Sequence, residues 1–241
     1  MKKANIALVF VVLLFFPGNI LGEKIYLSLQ FVGIKMVKAV FEEKANVIEI
    51  SAKSTPLASI STKLDNKYII EFEDEYLPRK YTKKIKQSDY SEDRFTIYDR
   101  TNLSAKRVSL LDSTKNCVYD IQPKVRDFFS ALYFLRKNFR KGDGELILDG
   151  NRVLWKASYK ILGIETINSV LGKLETVKIR IDFKKISPQE KERSDLLTNN
   201  LVNEKKHLFF WFTNDDKGIP VQAKYPVSPF YITWKLEKYE N

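Results

Sequence analysis

The residues able to do chemistry are few and thinly spread. His207 is the sole histidine and Cys117 the sole cysteine among 241 residues. A zinc site needs three or four ligands at short spacing, and none is offered here. No G-x-S-x-G elbow marks an activated serine. His207, leading into Leu208-Phe209-Phe210, therefore reads as structural, and Cys117 as a small buried apolar residue. Glu71, Glu73 and Glu75 share one parity and would line one strand face at about 7 Å spacing. Paired acids of split pKa can hydrolyse glycosides, but outer-face acids opposite the basic run 79–86 give the same pattern. Asp215 and Asp216, ahead of Lys217-Gly218, read as a turn.

A second group sits on a helical period. Ser130 follows Asp127 by three residues and Arg136 follows Tyr133 by three, which makes one polar edge beside an apolar stripe. Asp127 and Arg136, nine apart and on nearly opposite azimuths, do not pair locally. This edge either orients a ligand or forms a helix cap with a buried hydrogen-bond network. Trp155, Trp211 and Trp234 either stack on sugars, line a lipid groove or pack in the core. Ser130, Tyr133, Arg136, Trp155 and Trp211 are thus the candidate ligand-binding residues. No catalytic residue, metal ligand or cofactor is assigned.

The elements that must position these residues are mostly strands. Period-two alternation marks 24–31, a turn at Gly33, then 35–42, 46–51, 59–64 and 67–73 about a turn at Asp65-Asn66, and 79–86, 94–99 and 106–111. Val125, Phe128, Phe129, Leu132 and Leu135 break that period and predict a helix over about 127–138, capped by Asp127, with Arg136 and Lys137 at its negative end and Gly142 beyond. Its aromatic load is too great for a surface helix. Alternation resumes over 145–148, 152–162, 164–170 and 174–183, with glycines 150, 163 and 172 at hairpin turns. Residues 187–206 are polar and read as a long loop with a short helical turn, either functional or loosely ordered. A three-strand meander over 207–213, 219–225 and 230–239 closes the chain.

The start carries its own signal. Met1-Lys2-Lys3, thirteen apolar-rich residues from Ala4 to Phe16, and small residues up to Gly22 read as a cleavable export signal, too short to span a bilayer. Glu23 stands where a lipoprotein needs cysteine, so the expectation is a periplasmic protein, not a lipoprotein, with no transmembrane segment after cleavage. Loss of Lys2 and Lys3 takes the formal charge from +11 to +9. That favours anionic partners, lipid or acidic glycan, over nucleic acid, for which no arginine-rich tract or aromatic motif is present, although lysines protecting the outer faces of strands account for the same charge without a dedicated anion site. With one cysteine, no intramolecular disulfide is possible, and stability must come from packing. Residues 23–241 fit a single β-rich domain.

Several short patterns, in order, resemble the bacterial exported family of domain of unknown function 3108. They are Phe31-Val32-Gly33-Ile34; Asp127-x-x-Ser130-x-x-Tyr133-x-x-Arg136; Gly163-x-Glu165 followed by Gly172; and Trp211-x-Thr213-x-Asp215 leading to Ile219-Pro220-Val221. The resemblance implies an exported, mostly antiparallel β protein. Gly218, where the family often has a basic residue, and Pro226 to Phe230, where it often has a glycine, depart from the pattern. The fold expectation is mainly β: a highly curved antiparallel sheet, an open β-barrel or spiral, with one central α-helix packed on its concave side. The functional expectation is a non-enzymatic carrier of an amphipathic or acidic envelope component. The alternatives are an envelope scaffold with a filled core that docks another protein, and, third, a hydrolase.

Overall fold

A computed structural model describes residues 22–199 and 201–241; the export signal expected over 1–22 lies almost wholly outside them. Eight strands come first: β1 (Glu23–Phe31), β2 (Ile34–Lys44), β3 (Val47–Ser54), β4 (Leu64–Glu73), β5 (Leu77–Gln87), β6 (Tyr90–Asp99), β7 (Ser104–Ser109) and β8 (Cys117–Asp120). Helix α1 (Phe128–Asn138) follows, then β9 (Gly144–Gly150), β10 (Val153–Ser169), β11 (Gly172–Lys185), a short helix α2 (Leu196–Asn199), β12 (Leu208–Thr213), β13 (Pro220–Val227) and β14 (Phe230–Glu240). All fourteen strands form one antiparallel sheet in the order β8-β7-β6-β5-β4-β3-β2-β1-β14-β13-β12-β11-β10-β9. Two meanders are thus joined where β1 pairs with β14, Phe31 opposite Ile232.

No ladder joins β8 to β9, so the sheet is not closed. Side chains nevertheless bring its two ends together. Tyr119 of β8 and Tyr98 of β6 donate to Asp149 Oδ2 of β9 at 2.5 and 3.0 Å. The free edge of β9 is met by the segment ahead of the helix: Arg126 N donates to Ile147 O at 2.9 Å and Asp149 N to Arg126 O at 2.8 Å. An unpaired edge is thereby covered within the chain.

Helix α1 starts where the sequence places it. Asp127 Oδ1 accepts from Phe129 N (2.9 Å) and Ser130 N (3.2 Å), the N-cap geometry that satisfies otherwise orphaned amides. Phe129, Leu132, Tyr133 and Leu135 are buried, each contributing roughly 1.5–3 kcal/mol through removal from water. The Phe129 ring lies 5.8 Å from Phe41 on β2 and 4.9 Å from Tyr68 on β4. On the other half of the sheet, Leu132 and Leu135 share a small space with Leu146, Ala157, Ile181 and Phe210. One helix therefore packs against strands from both meanders.

Three local expectations are corrected. Asp65 and Asn66 are not a turn but lie within β4, where Asn66 is buried and donates to Tyr68 Oη at 2.9 Å; pairing overrides the turn preference of asparagine. The turn falls earlier, around Ala58–Ile60. Glu75 leaves the strand for a tight turn at φ 56°, so the three acids share no face. Gly163 marks a bulge inside the long β10, where the register shifts, rather than a hairpin. Strand β8 was not anticipated, because its four residues are too few to show a period.

Gly218, one of the departures from the family pattern, has a packing reason. Its φ is +55°, and a Cβ there would stand 2.3 Å from Arg136 O. Gly218→Ala should lower the unfolding free energy in urea by about 2 kcal/mol or more, from positive-φ strain and forced displacement of the helix end. Gly33→Asn, at φ +79° in open space, should change it by less than about 0.5 kcal/mol, because asparagine tolerates that region.

Candidate functional site

The five candidate residues do not converge. Ser130 is fully buried and its hydroxyl donates to Asp127 Oδ2, completing the helix cap. Burial raises the Asp127 carboxyl above the usual range even so. Arg136 is consumed by structure: its guanidinium grips Glu23 at 2.5 and 2.7 Å and donates to Gly218 O and Lys217 O at 3.2 and 2.9 Å. Burial alone would raise the Glu23 carboxyl, but the Arg136 hydrogen bond and charge outweigh it and hold it low. Tyr133, its pKa raised by burial, packs against Tyr76 at 5.8 Å, and its hydroxyl has no partner among the described residues.

Trp211 lies on the other face of the sheet. Its neighbours Phe210 and Phe212 point to the helix side, Phe212 stacking on Phe139 at 5.4 Å. Alternation turns Trp211 outward, where Nε1 donates to Glu165 Oε2 at 2.8 Å and Lys178 and Lys224 lie 5.1 and 5.5 Å over the ring. Of the five, only Trp155 lines an internal polar space.

The remaining chemical candidates sit apart. His207 meets Asp182 and Arg180 on the outer surface. Glu71 pairs with Arg79 and Lys80, as an exposed strand face would. Cys117 is half-buried, with Arg152 Nη1 at 3.9 Å from its sulfur. Among the described residues no group of three acids, histidines or cysteines is placed to hold a metal.

Two adjoining spaces lie beneath the 187–206 segment, here termed the strap. The first, about 40 Å³, is apolar: Leu27, Phe41, Leu132 and Phe210 line it from the body, and Leu197 and Leu201 from the strap. The second, about 30 Å³, is polar and rich in cations: Arg94, Arg107, Arg152 and Trp155 line it from the body, and Lys191 and Thr198 from the strap. Phe128 lines both. Arg107 and Arg152 share the single carboxylate of Glu192. Lys191 Nζ donates to Val202 O at 3.0 Å and lies 6.0 Å over the Trp155 ring, and burial lowers its pKa. The buried Trp155 Nε1 has no protein acceptor among the described residues. The polar space thus presents donors in excess of acceptors.

The strap is held by a buried ion pair that sequence reading missed. Lys83 of β5, 3% exposed, donates to Asp195 Oδ2 at 2.9 Å, and Asp195 is 0% exposed. Tyr68 donates to Asp195 Oδ1 at 2.7 Å, and the amides of Leu197 and Thr198 donate to the same oxygen, capping α2. Burial alone would raise the Asp195 carboxyl, yet the Lys83 charge and these hydrogen bonds drive it far below the usual range. The available signal was Asp195-x-x-Thr198, a capping pattern within a polar run. Lys83 carried a second signal, a lysine on the apolar parity of β5 between Tyr81 and Ile85, where the other lysines of the strand take the opposite face.

A family model described as protein of unknown function (DUF3108) matches residues 28–229. Among solved structures, the chain is similar to the beta-barrel-like protein of domain of unknown function DUF1849 from Brucella abortus, at TM-score 0.59 and 8% identity, covering 92% of this chain and 98% of that one. It also aligns with the hypothetical lipoprotein YmcC from Escherichia coli, at TM-score 0.38 and 9% identity, covering 91% of this chain and 85% of that one. No curated protein matches. The Brucella likeness supports a barrel-like β fold. Among the described residues, no helix is long and apolar enough to cross a membrane.

Asp195→Asn leaves Lys83 buried without its counter-charge and should cost about 3–5 kcal/mol, with faster protease cleavage within 187–206. In the unsubstituted protein the pair's contribution is complete above the ordinary aspartate value of 3.8 and is lost only as pH falls through the depressed folded value. Cleavage of the strap should therefore stay flat from pH 7 to pH 4 and rise below it. A rise centred near pH 6 would contradict the assignment.

Proposed function

The chain belongs to the DUF3108 family, and we propose that this member is an exported, periplasmic, non-enzymatic binding protein for an anionic amphiphile of the cell envelope. The observation that carries the reading is the pair of unlike spaces under one strap, apolar on one side of Phe128 and cation-rich on the other. The lining of the first would take an acyl chain by hydrophobic burial once the space is enlarged. The lining of the second would take an acidic headgroup, since Arg107, Lys191 and Trp155 Nε1 offer charge-assisted or unused donors. On this view α1 lies on the concave side of the sheet as the partition that splits the interior. Of the sequence candidates, Trp155 keeps a ligand role, while Ser130 and Arg136 act by fixing the helix. The leader at 1–22, with Glu23 rather than cysteine after it, supports export without a lipid anchor.

The spaces hold about one water each, against the 300–1,000 Å³ typical of ligand pockets. On this reading loading requires the strap to lift, withdrawing Leu197 and Leu201 from one space and Lys191 and Thr198 from the other. The same small volumes favour the second reading, an envelope scaffold whose core is filled by its own side chains.

Native mass spectrometry of the exported protein, with dodecyl phosphate as the added probe, separates the two. A carrier should retain a co-purifying amphiphile or take up one dodecyl phosphate, and Lys191→Gln should weaken uptake about tenfold or more, the loss expected of one charge-assisted hydrogen bond. A protein that co-purifies bare and takes up no dodecyl phosphate would establish the filled-core scaffold instead.

A further inference from the structure

The antiparallel meander sorts the connections by parity. Those between β1 and β2, β3 and β4, and every odd–even pair through β13 and β14 fall at the end that carries the strap. Among the described residues, most of the exposed large apolar side chains lie on this rim. Phe31, Val32 and Ile34 are on the β1–β2 hairpin, Ile60 on the β3–β4 connection, and Phe230 and Tyr231 at the start of β14. Ile60 is 85% exposed and Val32 59%. The opposite end offers Leu103, while the β10–β11 hairpin folds back over the outer face, its Val170 sharing a space with Gln30 and Lys35.

These side chains form one patch. Phe31 and Phe230 meet edge to face with centroids 5.8 Å apart. The β3–β4 connection is pinned beside Ile34, since Thr55 N donates to Met36 O and Thr55 Oγ1 to Lys35 O, both at 2.9 Å. Exposed Lys35, Lys53 and Lys63 stand among them, Lys35 paired with Glu237 at 2.6 Å and Lys53 with Asp65 at 3.3 Å.

Val32 adds an independent observation. It occupies the first central position of a two-residue hairpin turn at φ +49°, followed by Gly33 at φ +79°. Asparagine fits that position at less cost, and a β-branched residue there is a conformational outlier. A strained side chain that is also apolar and exposed gains nothing from the fold, which points to a role outside it.

We propose that this rim docks on an anionic lipid bilayer, with the hairpin tips inserting at the headgroup boundary and the lysines facing acidic headgroups. The occupant is argued from charge and shape. The chain carries formal charge +11, of which the leader's Lys2 and Lys3 supply only two, and acidic lipid complements it. The apolar side chains project from separate tips interleaved with lysine instead of lining a groove, which suits interfacial insertion better than a protein's side chain. Phenylalanine and tyrosine tips suit the same boundary. Docking would also turn the strap toward the bilayer, a consequence that rests on the amphiphile reading; the docking itself does not.

Sedimentation with vesicles of phosphatidylethanolamine and phosphatidylglycerol tests this, against vesicles of phosphatidylcholine alone. The protein should pellet with the anionic vesicles, less with the neutral ones, and less in high salt. Val32→Asn combined with Ile60→Ser and Tyr231→Ser should cut partitioning at least tenfold, and Leu103→Ser at the opposite end should leave it unchanged. Val32→Asn alone should raise the melting temperature, which keeps loss of binding distinct from loss of fold. Protein that stays in the supernatant with anionic vesicles, or equal binding by the rim and opposite-end variants, would overturn the proposal; the former would leave a protein as the occupant. Dodecyl phosphate uptake by the triple rim variant, unchanged from the parent, would separate failure of docking from failure of the amphiphile site.

Discussion

A sheet of fourteen strands that curls without closing leaves two unpaired edges, and the structure depends on how those edges are satisfied. The solution is concentrated at Arg126 and Asp127. The Arg126 backbone exchanges hydrogen bonds with the β9 edge. Its guanidinium, 2% exposed, donates to Glu75 O at 3.1 and 2.7 Å and to Lys124 O at 3.1 Å, and lies 3.9 Å over the Phe134 ring. Burial lowers its pKa to about 10, so it stays charged at neutral pH. The next residue caps α1. One dipeptide thus ties the β4–β5 turn, the free edge of β9 and the start of the core helix, while Asp149 gathers Tyr98 and Tyr119 from the far end of the strand order. Placing an arginine there without a fully buried counter-charge works because carbonyl oxygens take its donors.

Much of this was legible in the sequence where one face of an element is buried. The helix was readable because Phe129, Leu132 and Leu135 follow its period and Asp127 caps it, and the closing meander because His207 to Tyr239 alternates between two clear breaks. The antiparallel β class and the DUF3108 family were both readable. What was not legible depended on partners distant in the chain. Asn66 looks like a turn residue until Tyr68 and its own ladder enclose it. Glu75 continues the parity of Glu71 and Glu73, but Arg126 draws its carbonyl into a turn.

The candidate site was less legible than the fold, for a related reason. Arg136 lies on the right helix, yet its partners are Glu23 and the Lys217-Gly218 backbone, brought together only by the β1–β14 pairing. Trp211 was grouped with residues from which the sheet separates it, because single-sequence alternation shows that faces differ without showing which is inner. The strap read as a slack polar loop; its order comes from Lys83 and Asp195, 112 residues apart. A buried pair of that kind is a poor source of net stability but is costly to break on one side only. It therefore suits a segment that stays shut as a unit and opens as a unit.

That property links structure to the proposed role. The strap contributes walls to both spaces, so its lifting would enlarge them together, and Phe128 would remain to divide an acyl chain from its headgroup. Hydrogen-exchange mass spectrometry with and without dodecyl phosphate tests this most directly. Residues 187–206 should exchange as one cooperative unit, faster than the ladders of β1 and β14, and should slow when dodecyl phosphate is added. Exchange of the strap at the same slow rate as the sheet, unmoved by the amphiphile, would contradict a lid over a divided binding site.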